Sequence, residues 1–193
     1  NPDPSMNYPC ALETPPVSIA SSPRKQPIMQ PINEAQYLAL IVARSREYAR
    51  FYLSLLKGHD PHREFECEGK KLNTLFWIVA HMTTTQNGLL LYSTGGPFEK
   101  FSWAKHFTVG GKGLPRDQCP PYEEVWATFK AVHEKAMAHL PTLTQEQLDA
   151  PNRTGLPLIG TTVRDAIIHA ARHEALHTGH LTTLCKLYGV ATV

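Results

Sequence analysis

An all-α protein, built as a four-helix bundle behind a Pro-rich N-terminal tail, is the fold class that this sequence predicts. Three observations lead there. Four segments carry apolar residues at helical spacing over five to seven turns each. Pro, Gly and charge interrupt every β-branched run, so strand signals are weak. The segments are joined by long connections that permit helices to cross back along a bundle.

Residues 1–31 hold eight of the sixteen prolines, with Ser and Asn between them. This composition, without periodicity, reads as a tail, and it lacks the basic-then-apolar shape of a signal peptide. The expected division is a tail over 1–31 and a bundle domain over 32–193, with Met29 a candidate start for the compact part. A chain beginning at Met29 is expected to keep its helical signal and to melt within ~10 °C of the full chain.

The first helix is predicted over residues 33–57, NEAQYLALIVARSREYARFYLSLLK, capped by Asn33 and closed by Gly58. The second covers 72–92, LNTLFWIVAHMTTTQNGLLLY, apolar nearly all round and therefore interior. The third covers 122–140 and ends at Pro141. The fourth follows Thr161 or Thr162 as N-cap, with Asp165 in its first turn and Gly189 as its stop. A short helical turn is expected at 145–148. The connection over 93–121 contains five glycines and is long enough to cross the bundle, so the third helix need not run antiparallel to the second. The connection over 141–160 similarly permits a crossover. Loops of this length tend to cover or line a site.

Charge and cysteine content narrow the partners. The net charge of +2, with no Lys/Arg run interleaved with aromatics, gives no support for nucleic-acid binding. No apolar run reaches the ~18 residues of a membrane span. Cys10, Cys67, Cys119 and Cys185 are scattered with no C-x-x-C, which fits free thiols in a reducing, cytoplasmic setting.

The fourth helix carries HEALH, His173 to His177, which matches the H-E-x-x-H of zinc peptidases. His173 and His177 are one turn apart and share a face. Ala166, His169, Ala170, His180, Leu184 and Leu187 fall on the same stripe, which is apolar and expected to be buried. Buried imidazoles need partners, and one divalent cation serves two at once. A peptidase needs a third ligand downstream, but no Asp or Glu follows Glu174, and Thr183 stands where a metzincin has its last histidine. The third ligand is therefore sought upstream, where the interior second helix offers His81, one turn after Trp77. Three imidazoles from two helices leave coordination positions open, the catalytic rather than the structural pattern.

FWIVAHM on the second helix, followed by RHEALHTGHLTTLCKLYG, resembles the DinB/YfiT-like superfamily of bacterial metalloproteins. There the second helix carries a W-x-x-x-H-type segment, matched by Trp77 and His81. The fourth carries H-x-x-x-H, matched by His173 and His177, and commonly continues Arg-Gly-Gln-Leu, where this chain has Thr178-Gly179-His180-Leu181. The resemblance spans about residues 33–189. It implies an up-down-down-up bundle, a divalent metal on His81, His173 and His177, and frequently a homodimer. It also implies a small-molecule reaction, because the superfamily includes thiol-dependent S-transferases and isomerases and proposed hydrolases. Gly179 stands where its sulfoxide-synthase branch has Glu, which sets that branch aside.

The expected function is thus a metal-dependent enzyme that activates a thiol or water, with a low-molecular-weight thiol as possible cosubstrate. The alternative is a metal-binding or stress-response protein without turnover. Zinc leads as the metal, with nickel or iron also suited to imidazole ligands. Glu174 is a candidate general base or a hydrogen-bond acceptor behind the ligands, or otherwise a solvated or interface carboxylate. His180 is a candidate catalytic residue in the glutamine position. His169 is a candidate ligand or neighbour of the ligands. Arg44, Arg46, Tyr48 and Tyr52 are candidates to face a pocket, and a solvated face explains the two arginines as well. Trp77 is expected in the core, and His106, His133 and His139 on the surface.

Overall fold

The computed structural model describes residues 31–192. The sequence readings on the tail and on Cys10 lie outside the described residues. Helix α1 is Glu34–Leu55, opened by a capping box in which Asn33 and Gln36 satisfy each other's backbone N–H. A small hairpin follows, β1 Glu66–Cys67 against β2 Lys70–Lys71, antiparallel with Glu66 opposite Lys71. Its turn, Glu68-Gly69, has both φ values positive, the backbone that a tight two-residue hairpin requires. Strands of two residues are too short to show alternation, which is why this hairpin has no sequence signature.

Helix α2 is Leu75–Gln86, capped by Thr74, and it winds on as a π-helical segment over Asn87–Tyr92. The sequence places its start three residues early, because residues 72–74 complete the hairpin and the cap. Helix α3 is Tyr122–His139, α4 is the short Gln145–Asp149, and α5 is Val163–Tyr188. Thr162 and Asp165 form the capping box of α5, and Gly189 ends it in the left-handed conformation.

The bundle runs up-down-down-up, as the contacts between helix ends demonstrate. Arg164 at the start of α5 pairs with Glu34 at the start of α1, and the Cys185 thiol lies against the Tyr52 carbonyl near the other ends. These two helices are therefore parallel. The Phe76 ring near the start of α2 meets Tyr122 at the start of α3, at 6.1 Å, so this pair is parallel too. Ile78 of α2 and Leu184 of α5 line one cavity, so α2 opposes α5. The connection over 93–121 must then traverse the bundle's length. The connection over 141–160 stays at the end where α3 finishes and carries α4, whose Asp149 is clamped by Arg164 at 2.6 Å.

The core is divided into two apolar clusters. One gathers Ala35, Leu38 and Val42 with Leu90, Val132, Ala136 and Ala170. The other gathers Ala49, Leu53, Phe76, Val79 and Met82 with Phe129 and Leu181. Between them along α1, α2 and α5 lie Arg46, Gln86 and Glu174, all buried. A polar layer thus separates the two apolar clusters, and the candidate site is beside it.

Candidate metal centre

His81 of α2 is 4% exposed and stacks on Trp77, with ring centroids 4.6 Å apart and 16° between planes. Trp77 is half-buried and serves as the wall of this imidazole. The His81 Nδ1 lies 2.7 Å from the Phe107 carbonyl, which only accepts, so Nδ1 carries the proton and Nε2 presents a lone pair. Phe107 belongs to the long connection over 93–121, so that loop does cover the site. The His81 Nε2 is 3.0 Å from the His173 Nε2, which is 3.2 Å from the His177 Nε2.

These three residues form the group whose ligand atoms all lie within 4.8 Å of one another, and such a group could hold a metal ion. Burial, then the neighbouring imidazoles, push His173 down to about 4 and His177 down to about 3. Burial also lowers His81, although the Phe107 carbonyl partly opposes it. All three are neutral near pH 7. Neutral imidazoles with converging lone pairs repel one another unless a proton or a cation lies between them. The donor set, three imidazoles from two helices with their Nε2 atoms brought together, fits a divalent cation.

His180 stands behind His177, its Nδ1 3.2 Å from the Nδ1 of His177. It is exposed, and it lines a cavity of about 230 Å³ with Lys71, Ile78, Thr183 and Leu184. His169 is half-buried, with its ring 6.1 Å from that of His173, and is not one of the three. The buried face of α5 is thus rotated away from the stripe read in the sequence. Glu174 and Thr178 are inside, and His180 and Leu187 are outside.

Glu174 is not a solvated carboxylate. It is 1% exposed and accepts from the Nε of Arg46, itself 2% exposed. Arg46 likewise corrects the reading of a solvated face. Its Nη2 donates to the Gln86 Oε1 at 2.6 Å and its Nη1 to the Phe129 carbonyl at 3.1 Å, and the guanidinium lies 3.6 Å over the Phe129 ring. Burial pushes the Glu174 carboxyl up and the Arg46 guanidinium down, each opposed by the other's charge. Each residue advances a helix by about 100°, so Glu174 cannot share the direction of His173. Arg46 sits on the buried spacing Val42, Arg46, Ala49, Leu53, a signal that marks it as interior in the sequence itself.

The remaining candidates separate. Arg44 pairs with Glu47 at 2.6 Å in solvent, Tyr48 is exposed, and Tyr52 is buried with its hydroxyl 3.3 Å from that of Tyr48. His106, His133 and His139 are half-buried rather than on the surface. His139 meets the Thr94 hydroxyl at 2.9 Å, while burial and the charges of Arg46 and Arg50 push His133 down to about 4. A second cavity, about 270 Å³, has Trp77, Phe107 and Cys119 in its lining and shares Lys71, Leu72 and Asn73 with the first. The first reaches His180 and the second reaches Trp77 and Phe107, but neither is lined by His81, His173 or His177. A larger one, about 540 Å³, opens between α1 and α3 beside Leu53 and Trp126 and is lined by none of the three.

An up-down-down-up bundle with three imidazoles converging from its second and last long helices defines a class of helical proteins with a potential metal centre. The family model of the DinB superfamily matches residues 29–181, which include all three histidines, and the chain belongs to that superfamily. No curated protein matches the chain. Among the described residues no helix is long and apolar enough to cross a membrane.

Proposed function

We propose that His81, His173 and His177 hold a divalent metal, zinc foremost with nickel or iron as alternatives, and that the protein is a metal-dependent enzyme acting on a small molecule. The observation that carries this reading is the convergence of three neutral Nε2 atoms within 4.8 Å. A divalent cation on three neutral ligands keeps its charge and open positions, and lowers the pKa of a thiol or water there toward neutrality. The reaction class is a thiol-dependent S-transfer or a hydrolysis, with a low-molecular-weight thiol as cosubstrate in the first case. The chain's own residues prepare the site. Phe107 fixes the His81 tautomer through its carbonyl, Trp77 walls the ring, and His180 backs His177. Cytoplasmic location and a homodimer belong to the same proposal. The free thiols of Cys67, Cys119 and Cys185 support the first, and the exposed Tyr37, Ile41 and Tyr48 on α1 offer an apolar face for the second.

The test is elemental analysis of protein purified without a nickel column. About one metal per chain is expected in the wild type and well below one after His81→Ala, His173→Ala or His177→Ala. Full stoichiometry in His81→Ala would remove α2 from the site. A second reading, metal binding without turnover, draws on the deep burial of His81 and His177. Kinetic assays with thiol and ester substrates separate the two.

A further inference from the structure

The buried polar layer between the two apolar clusters has no place in the chemistry above. It joins Arg46 of α1 to Glu174 of α5, Gln86 of α2 and the Phe129 carbonyl of α3. A buried ion pair of this kind is a poor stabiliser, because two charges leave water to form it, and well-packed apolar residues of similar size do as well or better. The layer carries a second cost. The Gln86 amide turns its oxygen to Arg46, and its Nε2 is left buried without a hydrogen-bond partner among the described residues. Flipping the amide would set an N–H donor against a guanidinium that only donates, so Arg46 dictates the orientation.

The helices joined here are the ones that carry the histidines. Glu174 follows His173 directly and precedes His177 by three residues, so the rotation that seats its carboxylate also sets where both imidazoles point. Gln86 lies five residues after His81 on α2 and is followed at once by the π-helical segment Asn87–Tyr92. We propose that Arg46 is a positioning residue of the metal centre, locking α2 through Gln86 and α5 through Glu174 at the rotation where His81, His173 and His177 converge. The inference rests on the metal reading above. It assigns the Glu of HEALH a task unlike that of a peptidase base: it anchors the helix rather than reaching the cation. Arginine suits this task because its rigid fork serves three helices at once, which a lysine ammonium does not. Single polar layers in apolar cores have the same use where they specify register at some expense in stability.

The experiment compares cobalt(II) binding, by visible absorption and by competition with a chelator, in wild type, Arg46→Met/Glu174→Met and Gln86→Met. His173→Ala is the control, and thermal melting of the metal-free proteins is the second readout. The double variant is expected to melt at or above wild type, yet to bind cobalt at least ~10-fold more weakly with a shifted absorption band. Gln86→Met, which cuts only the link to α2 and removes the orphaned amide, is expected to melt no lower and to change affinity and band in the same direction. It carries the test alone if the double variant does not fold. Unchanged affinity and spectrum in Gln86→Met, with His173→Ala abolishing binding, overturns the positioning role and leaves the metal reading standing. Wild-type protein that takes up neither cobalt nor zinc removes the metal reading, and this inference falls with it.

Discussion

Glu174 shows how far one residue's neighbours can change the meaning of a motif. In a zinc peptidase the Glu of H-E-x-x-H is the general base. Here its carboxylate is held by Arg46 in the core and is not part of the group whose ligand atoms cluster. Two outcomes follow. Glu174→Ala strands a buried guanidinium and should cost about 3–5 kcal/mol, read by denaturant titration of the metal-free protein. A loss below about 1 kcal/mol would mean that water reaches Arg46. The wild type should also release no fragments from a peptide library. Efficient cleavage, abolished by Glu174→Gln with metal still bound, would restore the peptidase reading. Residue by residue, the imidazoles were legible because helical spacing puts His173 and His177 on one face and the apolar surroundings of His81 make it interior. The burial of Glu174 was obscured because polarity suggests solvent, and only a partner on a helix 128 residues away reverses that.

Helices were legible where local chemistry ends them. Asn33, Thr161 or Thr162, and Gly189 are the caps read from sequence, and the structure caps its helices with Asn33, Thr162 and Gly189. What lies just outside a cap was less visible. Gly160, two residues before Thr162, has φ +99°, and a Cβ there would come within 2.6 Å of Asp165, whose carboxylate accepts from the Thr161 and Thr162 backbone. Gly160→Ala therefore combines a strained backbone with displacement of the capping side chain. It should cost at least about 1 kcal/mol, a melting decrease of at least about 2–4 °C for a chain of this size. Unchanged melting would show that the loop before α5 adjusts freely. The π-helical continuation of α2 and the hairpin before it left no mark in the periodicity.

For the molecule as a whole, the pattern of buried imidazoles sets a dependence on pH. His173 and His133 are pushed down to about 4 and His177 to about 3, against about 6.5 in an unfolded chain. Between these limits the unfolded chain binds protons that the native chain does not, so stability rises with pH. The contribution is complete above about pH 6.5 and is lost as the pH falls through about 4 for His173 and His133 and about 3 for His177. Melting of the metal-free protein should fall steadily from pH 7 to pH 4.5, with a shallower slope in His133→Gln. A flat profile would mean that these imidazoles titrate as if in water. Bound metal, which needs neutral imidazole, should be released over the same acid range.

Periodicity, caps and histidine spacing by themselves determined four long helices, their order, and the shared face of His173 and His177. These are local properties of the chain, set within one or two turns of helix. The tertiary structure alone decided which way α5 is rotated, that Glu174 and not His180 is inside, and that a loop carbonyl sets the tautomer of His81. Each depends on residues far apart in sequence meeting across the bundle. The free energy of burying a charge or a lone pair is set by those neighbours, and a one-dimensional pattern does not contain them.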